Sequence, residues 1–171
     1  MSRIYVASSW RNETQPDVVK CLQLEGHDVY DFKNPAPGNH GFHWSEIDPD
    51  WKRWSCERFR SSIDHPIAVE GFASDMKALM SCEACVLVLP CGRSAHLELG
   101  WAVGAKKRTC ILLQDSRDTR GHSMSVRACS VCGDLDGCHL PAKPEMEPEL
   151  MYKMVDKLAL SIVEVVEWLR K

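Results

Sequence analysis

Apolar positions along the chain alternate between short continuous runs and spaced stripes. Arg3 to Ala7, RIYVA, is a β-branched and aromatic run that predicts a first strand. Between Pro16 and Glu25, Val18, Val19, Leu22 and Leu24 recur at helical spacing, and Gly26 closes the stretch. His27 to Phe32, HDVYDF, predicts a second strand. Pro66 to Cys82 reads as a helix interrupted near Gly71, with Ser74 capping a second segment and Asp75 in its first turn. Cys85 to Leu89 is an unbroken apolar run, the pattern of a parallel strand buried on both faces. Pro90, Cys91 and Gly92 interrupt it, and Ser94 is the expected N-cap of the next helix. There Leu97 and Trp101, then Leu99 and Val103, repeat at i, i+4. Thr109 to Leu113, TCILL, predicts another strand. Leu150, Met154, Leu158, Ile162, Val165 and Leu169 mark one face of a closing amphipathic helix.

Strands and helices in alternation predict a single doubly wound α/β domain over residues 1–171, with four or five mostly parallel strands. Ligands of such sheets bind where the strands end. Here those places are the SSWRN turn, residues 8–12, and the PCGRSAHLE turn, residues 90–98. Two stretches lack a regular period. Lys33 to Arg53 holds prolines, glycines and histidines, followed by Trp44, Trp51 and Trp54. These tryptophans either stack on an aromatic ligand or pin the loop to the core. Gln114 to Pro148 is polar and rich in cysteine, and reads as an insertion at about 115–148.

Composition narrows the class. The chain has 171 residues, 44% hydrophobic and 26% charged, with a formal charge of −3. That balance carries no basic bias towards nucleic acid. No apolar run reaches the length of roughly 18 residues that a membrane span needs. The apolar run near the N-terminus is only a few residues long and reads as a strand rather than a signal peptide. Nine cysteines without a signal segment point to reduced thiols and a cytoplasmic protein. Cys21, Cys85 and Cys110 fall inside predicted elements, where they serve as small core residues.

One carboxylate, Glu98, stands just past the first turn of the helix after the apolar strand. The positive end of the helix dipole is expected to favour its ionised form there, making it a candidate nucleophile. The alternative is an ordinary solvated helix residue. Asp75 and the phenol Tyr5 belong to elements that can converge with it. A carboxylate pair is the usual equipment for cleaving a glycosidic bond.

These segments carry a resemblance. IYVASSWRN, GHDVYDF, the GFHW and HP segments, GFASDMKAL and PCGRSAHLELGWA together resemble the nucleoside 2-deoxyribosyltransferase superfamily, which includes nucleoside 5′-monophosphate N-glycosidases. The likeness covers most of residues 3–113 and resumes at PELMYKM. It implies a flavodoxin-like or Rossmann-like fold and a small-molecule nucleotide or nucleoside substrate. It also implies Glu98 as the nucleophile at the anomeric carbon, Tyr5 to orient it, and Asp75 to assist departure of the base. Family members are homodimers or higher homo-oligomers, often with a neighbouring subunit completing the site, and use no metal or organic cofactor in catalysis. Within the superfamily, Ser9-x-Arg11 resembles the Ser-x-Arg of the monophosphate glycosidases. Hydroxyls, backbone N–H groups and a guanidinium beside a helix N-terminus make a phosphate cradle, to which Arg93 and Ser94 can add. The alternative is a capping serine and a surface arginine. Gly92 and His96 of the same turn, with Trp44, complete the expected substrate contacts.

The implied reaction is cleavage of the N-glycosidic bond of a nucleoside 5′-monophosphate or a nucleoside, with transfer to water or to another base. Two alternatives stand beside it: cleavage of NAD, as in TIR-like relatives, and a non-catalytic nucleotide-binding module. The 115–148 tract departs from the family. Its Cys129-x2-Cys132, Cys138 and His122 have the character of a structural zinc site, against free thiols or a disulfide.

Overall fold

A computed structural model describes residues 1–113 and 149–171. The expected set Cys129, Cys132, Cys138 and His122 lies outside the described residues. Among the described residues, five strands form one sheet: β1 (Arg3–Ala7), β2 (Asp28–Asp31), β3 (Ala84–Val88), β4 (Arg108–Leu112) and β5 (Lys157–Ala159). Their order is β2-β1-β3-β4-β5, and every pairing is parallel. This is the flavodoxin-like order of a doubly wound α/β fold, whose switch point lies between β1 and β3.

The alternation within each strand divides the core into two layers. Ile4, Val6, Val86, Val88, Cys110 and Leu112 face one side, under α1 (Gln15–Leu24) and α5 (Ile162–Leu169). Tyr5, Ala7, Cys85, Leu87 and Ile111 face the other, under α3 (Pro66–Ser81) and α4 (Arg93–Gly104). A short helix, α2 (Cys56–Ser62), precedes α3. Central β3 is buried along its whole length, as its continuous apolar run requires. Cys21, Cys85 and Cys110 are buried with the core.

Three local expectations are corrected. The first is the break near Gly71, which does not occur: α3 runs without interruption from Pro66 to Ser81. Its N-cap is His65, whose side chain accepts from the backbone N–H of Ile67, so Ser74 caps nothing and Asp75 sits well inside the helix. Glycine costs a helix about 1 kcal/mol relative to alanine. At residue 71 it has a packing reason, because an added Cβ would stand 2.7 Å from the Cβ of Phe42.

The second is Ser94, since α4 begins two residues earlier than a Ser94 cap implies and its N-cap is Gly92, without a side-chain cap bond. The third is the closing helix. Residues Leu150–Met154 form a 3-10 turn, Lys157–Ala159 form β5, and only Ile162–Leu169 is α-helical. Leu150 and Leu158, assigned to its apolar face, are 79% and 42% exposed. Pairing with β4 outweighed the helical spacing, because β4 would otherwise leave its backbone groups unpaired along that edge. Ser161-x-x-Glu164 caps α5, the Ser161 side chain accepting from the backbone N–H of Glu164. That S-x-x-E signature lies inside the stretch read as continuous helix and marks where α5 starts.

Candidate active site

Parallel pairing places Tyr5 of β1 in register with Tyr30 of β2 and Cys85 of β3. In a parallel pair, partners in register point to the same face. The rings of Tyr5 and Tyr30 accordingly stack, 5.3 Å between centroids and 18° between planes. Over this face lie α3, bringing Ser74 and Asp75, and α4, bringing Glu98. Tyr30 Oη donates to Asp75 Oδ1 at 2.8 Å and stands 3.2 Å from Ser74 Oγ. The Tyr5 phenol favours the ionised form of Glu98.

The electrostatics follow from burial. Glu98 is pushed up to about 7, chiefly by burial and then by the charge of Asp75, while the Tyr5 phenol pulls it down. The helix dipole does not keep Glu98 fully ionised at neutral pH, which corrects the sequence-based expectation. Glu98 lies past the first turn of α4, where the dipole has faded, and desolvation dominates. Asp75 is raised by burial, against its bond from Tyr30. Tyr5 and Tyr30 are both raised well above the usual tyrosine range, mainly by burial, so both stay neutral donors. Such a site resists holding two full negative charges. Two buried carboxyl groups that hold one proton between them are suited to paired acid and nucleophile chemistry.

Asn12 joins the two ligand-facing turns. Its Nδ2 donates to Val88 O at 3.2 Å and to Pro90 O at 3.0 Å, and Ser8 Oγ donates to Val88 O at 2.8 Å. Asn12 Oδ1 accepts from the backbone N–H groups of Thr14 and Gln15, at 2.9 and 3.0 Å. The start of α1 is thus satisfied by Asn12, whereas the start of α4 has no side-chain cap. Ser9 Oγ accepts from the backbone N–H of Arg11 at 3.2 Å, and the Arg11 side chain is exposed. Gly92, Arg93 and Ser94 lie exposed at the open end of α4.

His96 is directed elsewhere. Its Nδ1 lies 3.1 Å from Gly92 O and 3.4 Å from Cys91 Sγ, and its Nε2 lies 3.0 Å from Tyr152 Oη. His96 therefore fastens the 3-10 turn at Leu150–Met154 to α4. The neighbouring Cys91 thiol is pushed up to about 11, mainly by burial, so it is no nucleophile at neutral pH.

The irregular segment after β2 is packed down by its aromatics. Phe42 sits against Gly71, one helical turn from Asp75 on α3. Trp44 packs edge-on against Phe42, Trp54 and Phe59. Trp44, Trp51, Lys52, Trp54 and Phe59 line a cavity of about 250 Å³. A larger cavity, about 540 Å³, lies at the opposite end of the strands, among Lys106, Lys107, Arg108, Asp156 and Trp168, and neither carboxylate borders it. Among the described residues, no helix is long and apolar enough to cross a membrane.

The sequence reading missed Tyr30, Ser74 as its partner, Asn12 and Phe42. Only the register of β1 with β2 reveals that HDVYDF supplies a second site tyrosine.

No family model matches the chain, and no curated protein matches it. Among solved structures it is similar to a conserved protein from Enterococcus faecalis V583, at 12% identity and a TM-score of 0.54. That match covers 99% of this chain and 98% of the other. It is also similar to the CMP N-glycosidase BcmB of Clostridium botulinum, at 13% identity and a TM-score of 0.44, over 98% and 97% of the two chains. At 12% identity the first likeness is one of fold, and the second superposition is too loose to add to it.

Proposed function

We propose that this chain is an enzyme that cleaves the N-glycosidic bond of a nucleoside 5′-monophosphate or nucleoside, with Glu98 as its nucleophile. The observation that carries the reading is the closeness of Glu98, Tyr5 and Asp75 over one face of the sheet at β1 and β3. The sequence resemblance in GFASDMKAL and PCGRSAHLELGWA supports it.

In the proposed reaction the ionised Glu98 attacks the anomeric carbon, forming a C–O bond while the C–N bond breaks. The electron pair of that bond leaves with the base, and Asp75 supplies a proton to it. Water or a second base then attacks the same carbon, gives its proton to the now ionised Asp75, and releases Glu98 as a carboxylate. Tyr5 keeps the attacking carboxylate oriented without itself ionising. The start of α4 has free N–H groups beside Arg93 and Ser94, and Arg11 stands on the turn that Asn12 ties to it. A 5′-phosphate fits best at that end of α4, because Asn12 already occupies the start of α1. No catalytic cofactor is needed for these steps.

The test is a release assay over the common nucleosides, their 5′-monophosphates and NAD, with and without an acceptor base. Free base from a nucleoside or monophosphate is the expected product. Release of nicotinamide alone would favour a dinucleotide substrate, and tight binding without release would favour a binding module.

A further inference from the structure

We infer that Tyr30 is a positioning residue that fixes which oxygen of Asp75 carries the acidic proton. The inference rests on the reading of Asp75 as the group that assists departure of the base. Tyr30 Oη meets Asp75 Oδ1 at 2.8 Å, and among the described residues Oδ2 has no hydrogen-bond partner. The phenol is a neutral donor, so Oδ1 must accept. A proton on the carboxyl group then resides on Oδ2, the oxygen left for a ligand. Ser74 Oγ lies 3.2 Å from the phenol oxygen, and since the phenol hydrogen points at Asp75, Ser74 donates to Tyr30. The chain Ser74 to Tyr30 to Asp75 polarises in one direction and strengthens the last bond.

Tyr30 itself is held from below. Its ring stacks on buried Tyr5, and the strand register sets that contact. The titratable groups that face Asp75 are Tyr5 on β1, Tyr30 on β2 and Glu98 on α4, with Cys85 of β3 beneath Tyr5. Of these, Tyr30 is the one that hydrogen-bonds Asp75 among the described residues.

Tyr30→Phe keeps the ring and its stack on Tyr5 and removes only the hydroxyl. On a nucleotide whose base must be protonated to leave, kcat should fall roughly 10- to 100-fold with KM nearly unchanged, the scale of a misplaced reacting group. On a substrate with a 4-nitrophenolate leaving group, which needs no proton, the loss should vanish. Ser74→Ala should show the same pattern more weakly. Equal losses on both substrates, or none, would overturn the inference. A carbon-13 titration of the Asp75 carboxyl reads the same bond without turnover. Removing a donor to the ionised form should raise its midpoint in Tyr30→Phe, and an unmoved midpoint would also overturn the inference. Should the wild type cleave neither substrate while the midpoint moves, the proposed reaction falls and with it the catalytic role of Tyr30. The Tyr30–Asp75 contact would then be purely structural.

Discussion

Asp75 and Glu98, carried on α3 and α4, lie close enough that the charge of Asp75 helps hold the Glu98 proton up to about pH 7. If Glu98 attacks as a carboxylate while Asp75 delivers a proton, the pair must hold one proton between them, so kcat/KM must rise as the first proton leaves and fall with pH through about 7 as the second does. Tyr5→Phe removes the phenol that favours the ionised form of Glu98, so the falling limb should move to higher pH. A pH–rate profile checks both statements. A profile with no falling limb near 7 would mean that the pair's proton does not limit the rate.

Glu98→Gln should lower activity by on the order of a thousandfold or more, as loss of a nucleophile does. Substrate should still bind, and a slow 2-fluoro sugar substrate should leave its adduct on the Glu98 peptide of the wild type, seen by mass spectrometry. An adduct on Asp75 would reverse the two roles.

The same substitution should change stability in a pH-dependent way. Glu98 holds its proton more tightly folded than unfolded, so its cost to the fold is absent below the unfolded value. The cost grows as pH rises and is complete above about 7. Glu98→Gln should therefore raise Tm at pH 8 and leave it nearly unchanged at pH 4. A kilocalorie per mole corresponds to about 2–4 °C for a chain of this size.

Arg11→Ala and Arg93→Ala separate the two sides of the phosphate cradle. Loss of a charged hydrogen bond should weaken monophosphate binding by about 1.5–3 kcal/mol. The free nucleoside should lose much less, and calorimetric titration of both ligands measures the difference. Equal losses would assign the arginine to the fold instead.

Asn12→Ala removes the bonds to Val88 O and Pro90 O together with the cap of α1. Denaturant unfolding should show a loss of roughly 2–4 kcal/mol, a cap plus buried hydrogen bonds. Asn12→Asp keeps the capping oxygen but not the donors, and should recover only part of that loss.

Gly71→Ala would normally stabilise a helix interior by about 1 kcal/mol. Here the new methyl group meets Phe42 at 2.7 Å, so destabilisation is expected instead. Tryptophan fluorescence should shift as the loop bearing Phe42 and Trp44 is displaced. A stabilised protein with unchanged fluorescence would show that the loop gives way without cost.

The sequence by itself determined the α/β class, the strands at residues 3–7 and, one residue late, at 85–89, and the two turns that follow them. It did so because a parallel strand buried on both faces needs a continuous apolar run, and such a run is visible without any partner. It also singled out Glu98, Asp75 and Tyr5, by helix position and by resemblance. Tertiary structure decided what one-dimensional spacing cannot hold. The stripe from Leu150 to Leu169 satisfies a helical period, yet the free edge of β4 drew Lys157–Ala159 into the sheet. Gly71 reads as a helix breaker until Phe42 is seen against it. Dipole and position suggested an ionised Glu98, but its proton affinity depends on burial and on Asp75, 23 positions earlier in the chain. Tyr30 became a site residue only through its register with Tyr5, because pairing between strands is set by the whole sheet and not by either strand alone.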